Sequence, residues 1–195
     1  MIKNIPDEKL DLRIRRTHKL LSDSLMVLLN EKSFDNIQVS HICDKAMIHR
    51  TTFYKHFQDK YELLDFSLKQ LVKEFQEKSA ASTPADNPRQ YYVNTFKEIL
   101  EHMYRNKGMY FVGLEGLRND IALQIFQKSV VEATQAKLKK NEESGITFSI
   151  PIPVLAEFYS AGVVSLGSWW LQNNMPISID EMVKYGDLLI NRLDK

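Results

Sequence analysis

Cysteine occurs once, at Cys43, so the chain can form no internal disulfide, and a lone thiol builds no metal site. Glycine and proline are sparse, seven and six in 195 residues, which disfavours a turn-rich β architecture. No apolar run reaches the ~18 residues of a membrane span. The longest, AGVVSLGSWWL at 161–171, is short and broken by Ser and Gly. No N-terminal stretch has the apolar centre of a secretory signal. Missing too are a Gly-rich phosphate loop, HExxH, Gly-x-Ser-x-Gly and a carboxylate pair in a defined context, so no catalytic residue, metal ligand or cofactor is assigned. Cys43 and His49 are conceivable as a nucleophile and base, but both fall in the helical segment treated next. A cytoplasmic, non-enzymatic, all-α protein is expected.

Charge of one sign is also lacking overall: the formal net charge is +1. Its distribution is uneven. Residues 1–60 carry 11 Lys and Arg against 8 Asp and Glu, and the remainder 15 against 17. Four of the five histidines, His18, His41, His49 and His56, sit in the first part. The N-terminal part is therefore the one suited to an anion.

Apolar spacing predicts helices throughout. Ile14, His18, Leu21, Leu25 and Leu28 fall on one stripe over 11–31. That helix starts with Arg13, Arg15, Arg16 and Lys19, charges that oppose the macrodipole unless an anion lies nearby. KSFDN interrupts the pattern. Val39, Ile42, Cys43 and Ala46 mark a short second helix, and RTTFYKHF a third with Phe53 and Phe57 facing inward. Asp59 and Glu62 have capping-box spacing at the start of a fourth helix to about Lys78. SAASTPADNPR at 79–89 is the one good boundary. Four or five helices follow, over about 90–106, 109–117, 119–140, 154–173 and 178–193. In the third of these Ile121, Ile125, Val130 and Ala133 are expected inward.

Two short helices joined by a tight connection behind a longer one form a helix-turn-helix. The second short helix, RTTFYKHF, is polar on one face and aromatic on the other. Base edges suit bidentate or hydroxyl side chains, and phosphates suit cations, hydroxyls and N–H groups. Arg50, Thr51 and Thr52 fit the first role. Tyr54, Lys55, His56 and Lys60 fit the second, with Lys60 and exposed N–H groups at the next helix start acting as a phosphate clamp.

IQVSHICDKAMIHRTTFYKHFQDKYELL (37–64) resembles the signature of tetracycline-repressor-like (TetR/AcrR) regulators. Val39, Ile42, Ala46, Ile48, Thr52, Phe53, Tyr54, His56, Phe57, Lys60 and Leu63 agree in place, polar and apolar positions together. The resemblance implies that Ser40, Arg50, Thr51 and Thr52 face bases. It implies that Gln38, Tyr54, Lys55, His56 and Lys60 face the DNA backbone, with His49 beside them. Three departures stand out. Met47 replaces a frequent turn glycine, so either a strained φ > 0 or a slightly different turn follows. Thr51 replaces another glycine, and Cys43 replaces an alanine and suits burial.

The resemblance also implies domains: a helix-turn-helix unit over 1–60, a connecting helix over 60–78, and a helical effector-binding and dimerisation domain over 79–195. Small and large apolar residues late in the chain fit a homodimer face, with Ala161, Ser165, Trp169, Met182 and Leu189 as candidates and Gly162, Gly167 and Ser168 allowing close approach. Trp169 and Trp170 cannot both face it. Aromatic and Met side chains of the middle helices suit an apolar effector. Phe96, Met103, Tyr104, Phe111, Phe126 and Tyr159 are the candidates, with His102, Glu115, Arg118 and Gln124 as polar ones. The expected function is a dimeric, ligand-responsive repressor of double-stranded palindromic operators. The alternative is a partner-dependent activator or coregulator of the same fold.

Overall fold

The computed structural model describes residues 11–83, 87–116 and 121–193. Among them are nine α-helices and no strand: α1 (Leu12–Leu29), α2 (Val39–Ala46), α3 (Arg50–His56), α4 (Lys60–Ala81), α5 (Pro88–Arg105), α6 (Lys107–Gly116), α7 (Ile121–Glu143), α8 (Ile152–Gln172) and α9 (Ile179–Leu193). Two compact units form, one from residues up to 68 with 108–125, the other from 69–107 with 126–195. Residues 108–125 thus join the first unit, although the sequence boundary at 79–89 lies upstream of them.

In the first unit, Asp11 caps α1 by accepting from the Arg13 N–H at 2.9 Å. One stripe of α1 is buried: His18, Leu21, Leu25, Leu28 and Leu29. Ile37, Ile42, Phe53 and Leu63 are also fully buried in this unit. KSFDN contains a 3-10 turn at Phe34–Asn36, whose Phe34 ring is buried. Gln38 opens α2 through a reciprocal cap: its side chain accepts from the His41 backbone, and its own N–H donates to His41 Nδ1 at 3.2 Å. A rim ion pair, Lys45 Nζ to Glu31 at 2.6 Å, ties α2 to the end of α1.

In the second unit, Asn87 caps α5 by accepting from the Gln90 N–H, with Pro88 in the first turn. Leu138, Ile152 and Ala156 form a buried cluster flanked by Tyr92, Val131, Phe148 and Leu155. Phe148 belongs to ITFSI, which is loop as its sequence suggests. Trp170 is buried, 1% exposed, and its indole N–H donates to the Ile177 carbonyl at 2.8 Å. Its neighbour Trp169 is 46% exposed. That divides the two tryptophans: Trp170 is core, Trp169 is surface.

Glycine lets α5 approach α8 and α9. A Cβ on Gly186 would lie 2.7 Å from the Phe96 ring, and one on Gly167 would lie 2.9 Å from Met103 Sδ. The Met103 thioether can swing aside, whereas the buried Phe96 ring cannot. Gly186→Ala should therefore destabilise the protein by about 1 kcal/mol: overpacking costs ~1–3 kcal/mol and the helix-propensity gain offsets ~1 kcal/mol. A lower urea midpoint with unchanged m-value would show it; a higher midpoint would mean that the ring moves freely.

Two sequence expectations need correction. Ile121, expected inward, is half-exposed because it is the first residue of α7. Met182, expected on a dimer face, is 3% exposed and packed inside its own chain.

Candidate nucleic-acid interface

Helix α3 is seven residues long and two-faced. Phe53 is fully buried and Phe57, at its end, nearly so. Arg50, Thr51, Tyr54 and Lys55 are exposed, and Thr52 and His56 half-buried. The helix starts at His49, whose carbonyl accepts from Thr52 and Phe53 N–H at 2.8 and 3.1 Å. Its inner face meets a cluster of rings: His18 of α1 lies 4.9 Å from Phe57 and 4.9 Å from Phe66, and Phe57 lies 5.5 Å from Phe66. This packing holds α3 against α1 and α4 and leaves its polar face outward. Gln38 is exposed and Ser40 half-buried at the start of α2, the Ser40 hydroxyl donating to Gln38 Oε1 at 3.4 Å.

Two of the residues expected to meet DNA phosphate are otherwise engaged. The Lys60 ammonium donates to three backbone carbonyls: Phe34 at 2.9 Å, Asp35 at 3.1 Å and Ile37 at 2.9 Å. It also lies over the Phe34 ring, 4.6 Å from its centre. An ammonium has three donors, and all three are used. Two N–H groups in the first turn of α4 are also taken: Asp59 Oδ1 accepts from Tyr61 and Glu62 at 2.8 and 2.9 Å. Lys60 is thus a tie between α4 and the turn before α2. What hid this from sequence is that carbonyl acceptors carry no residue signature.

His56 is the second correction. Its ring packs edge-on against His18 at 5.1 Å. Burial, then the neighbouring Lys55 charge, lowers its pKa below the usual histidine value, which favours the neutral ring. It serves the packing of α3 rather than offering a cation.

The turn between α2 and α3 takes the strained alternative. Met47 has φ 54° and ψ 42°, the left-handed region. Its N–H donates to the Asp44 carbonyl at 3.3 Å, and the Ile48 N–H donates to Cys43 at 3.0 Å, the paired bonds of a Schellman cap. Cys43 is buried as a small hydrophobe, and desolvation pushes its thiol pKa up, partly opposed by the Arg50 charge.

The effector candidates are scattered. Phe96 and Met103 are buried against the α9 and α8 glycines, which removes them from a ligand surface. Tyr104 is exposed and lines an open cleft of about 450 Å³ with Trp170, Met175, Ile177 and Asp180. Phe126 and Tyr159 are half-buried in the second unit, and Phe111 is half-buried in the first. His102 is half-buried, edge-on to Phe75 at 5.3 Å, and held neutral by burial, then by the Arg105 and Lys78 charges, with its pKa pushed down to about 4. Gln124 is exposed. Arg118 and the Glu115 side chain lie outside the described residues. Among the described residues there is no metal-binding cluster, and no helix is long and apolar enough to cross a membrane.

Of the dimer candidates, Ala161, Ser165, Trp169 and Leu189 are exposed. Val154 and Phe158 extend the α8 stripe, at steps of 4, 3, 4 and 4 residues through Ala161, Ser165 and Trp169. Tyr185 and Leu188 join Leu189 on α9. Gly162 is exposed, whereas Gly167 is buried.

A two-faced α3 behind a short capped α2, followed by a separate helical unit, defines a helix-turn-helix transcriptional regulator that binds DNA. The family comparisons agree with that class. The profile of bacterial regulatory proteins of the tetR family matches residues 22–65, and that of a transcriptional regulator C-terminal region matches 90–192. The chain belongs to the tetR family. No curated protein matches it in sequence. Among solved structures it is similar to the fatty acid degradation regulator FadR from Bacillus halodurans, at 14% identity and TM-score 0.64, covering 89% of this chain and 93% of that one. FadR from Bacillus subtilis in complex with stearoyl-CoA is similar at 16% identity and TM-score 0.64, with 88% and 96% covered. The dihydroxyacetone kinase operon activator DhaS is similar at 19% identity and TM-score 0.59, with 91% and 96% covered.

Proposed function

We propose that the protein is a cytoplasmic, homodimeric repressor that reads a palindromic operator through α3 and releases it when an apolar effector binds the second unit. The carrying observation is that α3 buries Phe53 while turning Arg50, Thr51, Tyr54 and Lys55 outward. Arg50, Thr51 and Thr52 meet base edges, and Ser40 reaches them from α2. Gln38, His49, Tyr54 and Lys55 hold the flanking backbone. Two copies pair through the apolar stripes of α8 and α9, which fixes the spacing of the two α3 helices at one helical turn of DNA or a multiple.

Of the aromatic candidates in the second unit, Phe126 and Tyr159 are half-buried and so left to meet an effector, and an apolar ligand suits them. FadR from Bacillus subtilis is solved in complex with stearoyl-CoA, which is consistent with a long-chain apolar ligand here. The effector must bind the DNA-free state better, since equal affinity for both states shifts nothing. DhaS is an operon activator on a similar fold, which favours activation as the second reading.

Selection from a random duplex library with the purified protein at physiological salt is expected to return a palindrome. Enrichment of no sequence from a folded dimer would overturn autonomous operator reading. On the recovered operator, Arg50→Ala and Thr52→Ala should each lower specific affinity about 10- to 100-fold while barely changing binding to random DNA, since a base contact carries ~1–3 kcal/mol of discrimination. Equal losses on both duplexes would instead assign these residues to the backbone.

A further inference from the structure

Met47 carries a backbone cost that the fold itself does not recover. It holds a left-handed backbone at φ 54°, a conformation that favours glycine. Its side chain is 91% exposed, the most open of the large apolar residues among those described. A glycine there would keep both bonds of the Schellman cap, since these use only backbone groups. Neither folding nor core packing therefore accounts for a methionine at this position.

Its location supplies a use. Met47 lies three residues before Arg50, the first residue of α3. Three residues of chain span at most ~10 Å, and a helix-turn-helix presents the N-terminal residues of its second helix to the groove. An exposed side chain on the turn there is within reach of the strand bordering the groove. The deoxyribose faces of that strand are apolar, and a thioether adapts its shape to such surfaces.

We infer that Met47 is a DNA contact, packing on deoxyribose beside the half-site and adding affinity without base discrimination. The inference rests on the α3 reading proposed above. Burying part of a methionine side chain corresponds to about a fivefold gain in affinity per half-site.

The test uses the full-length protein and the duplex recovered by library selection. Met47→Gly and Met47→Asn, whose residues accept the left-handed backbone, should raise the thermal midpoint by about 2–4 °C. Both should weaken operator and random duplex alike, by at least fivefold, with the salt slope unchanged because no charge is lost. Met47→Leu should keep affinity within twofold and gain no stability. A shift of α3 caused by the altered turn would instead cost operator binding far more than random-duplex binding, and that outcome would overturn the contact. If Gly and Asn bind within twofold of the parent while Arg50→Ala loses the operator, the Met47 contact is overturned and the α3 reading stands. If Arg50→Ala is silent as well, both fall together.

Discussion

Trp169→Glu is expected to give a folded monomer that binds the operator at least ~100-fold more weakly than the parent. The side chain lies 46% exposed on α8, between Ser165 and the helix end, so its replacement costs the protomer less than loss of the buried Trp170 would. On the same two helices Val154, Phe158, Tyr185, Leu188 and Leu189 are all between 47 and 60% exposed. Isolated exposed apolar residues are ordinary, but six large ones on the last two helices suit an interaction surface. A two-fold interface meets the same substitution twice, so two carboxylates would be buried with no partner cation supplied. In the proposed dimer, loss of the partner removes the second α3 from the operator. Specific binding then falls toward the non-specific range, which lies ~10³–10⁷-fold weaker. Sedimentation velocity and an operator titration on the same sample check both halves. A variant that stays dimeric with full affinity would move the dimer contact off this face.

The sequence made the helices legible because each carries a buried stripe with a period near 3.6. α1 is the clearest, with His18, Leu21, Leu25 and Leu28 inward as their spacing demands. The two faces of α3 were legible for the same reason: Phe53 and Phe57 stand four apart and everything between them is polar or amphipathic. Assignments failed where chemistry depends on partners distant in sequence. His56 looks like a cation in a polar stretch, yet its partner ring, His18, is 38 residues upstream. Phe96 and Met103 look like a ligand wall, yet two glycines more than 60 residues downstream receive them. Periodicity reports which face of a helix is inward. It does not report whether the inward neighbour is a side chain, a glycine notch or space for a ligand. Met182 and Leu189 show the same limit: both are apolar residues of α9, but one faces its own chain and the other solvent.

Lys60→Met should lower the thermal midpoint by about 10 °C and leave the salt dependence of DNA binding at the parent slope. Methionine keeps most of the stem and removes the ammonium. The carbonyls of Phe34, Asp35 and Ile37 then lose a shared charged donor. Hydrogen bonds to a charged group contribute ~1.5–3 kcal/mol each where buried. Lys60 is only partly buried, so about 3 kcal/mol in total is expected rather than the sum, and for a chain of this size each kcal/mol moves the midpoint ~2–4 °C. Burial lowers the pKa of this lysine, with Asp35 opposing, so the ammonium is held there against a desolvation penalty that the carbonyls offset. What the tie secures is the entry to α2. Ile37 directly precedes Gln38, the cap of α2, and the 3-10 turn before it has no side-chain cap of its own. Loosening it frees α2 and, through the Met47 turn, the register of α3. A phosphate clamp would behave in the opposite way. Stability would hold, affinity for every duplex would fall, and the salt slope would drop by about one. A single urea titration together with binding at three salt concentrations separates the two roles of this lysine.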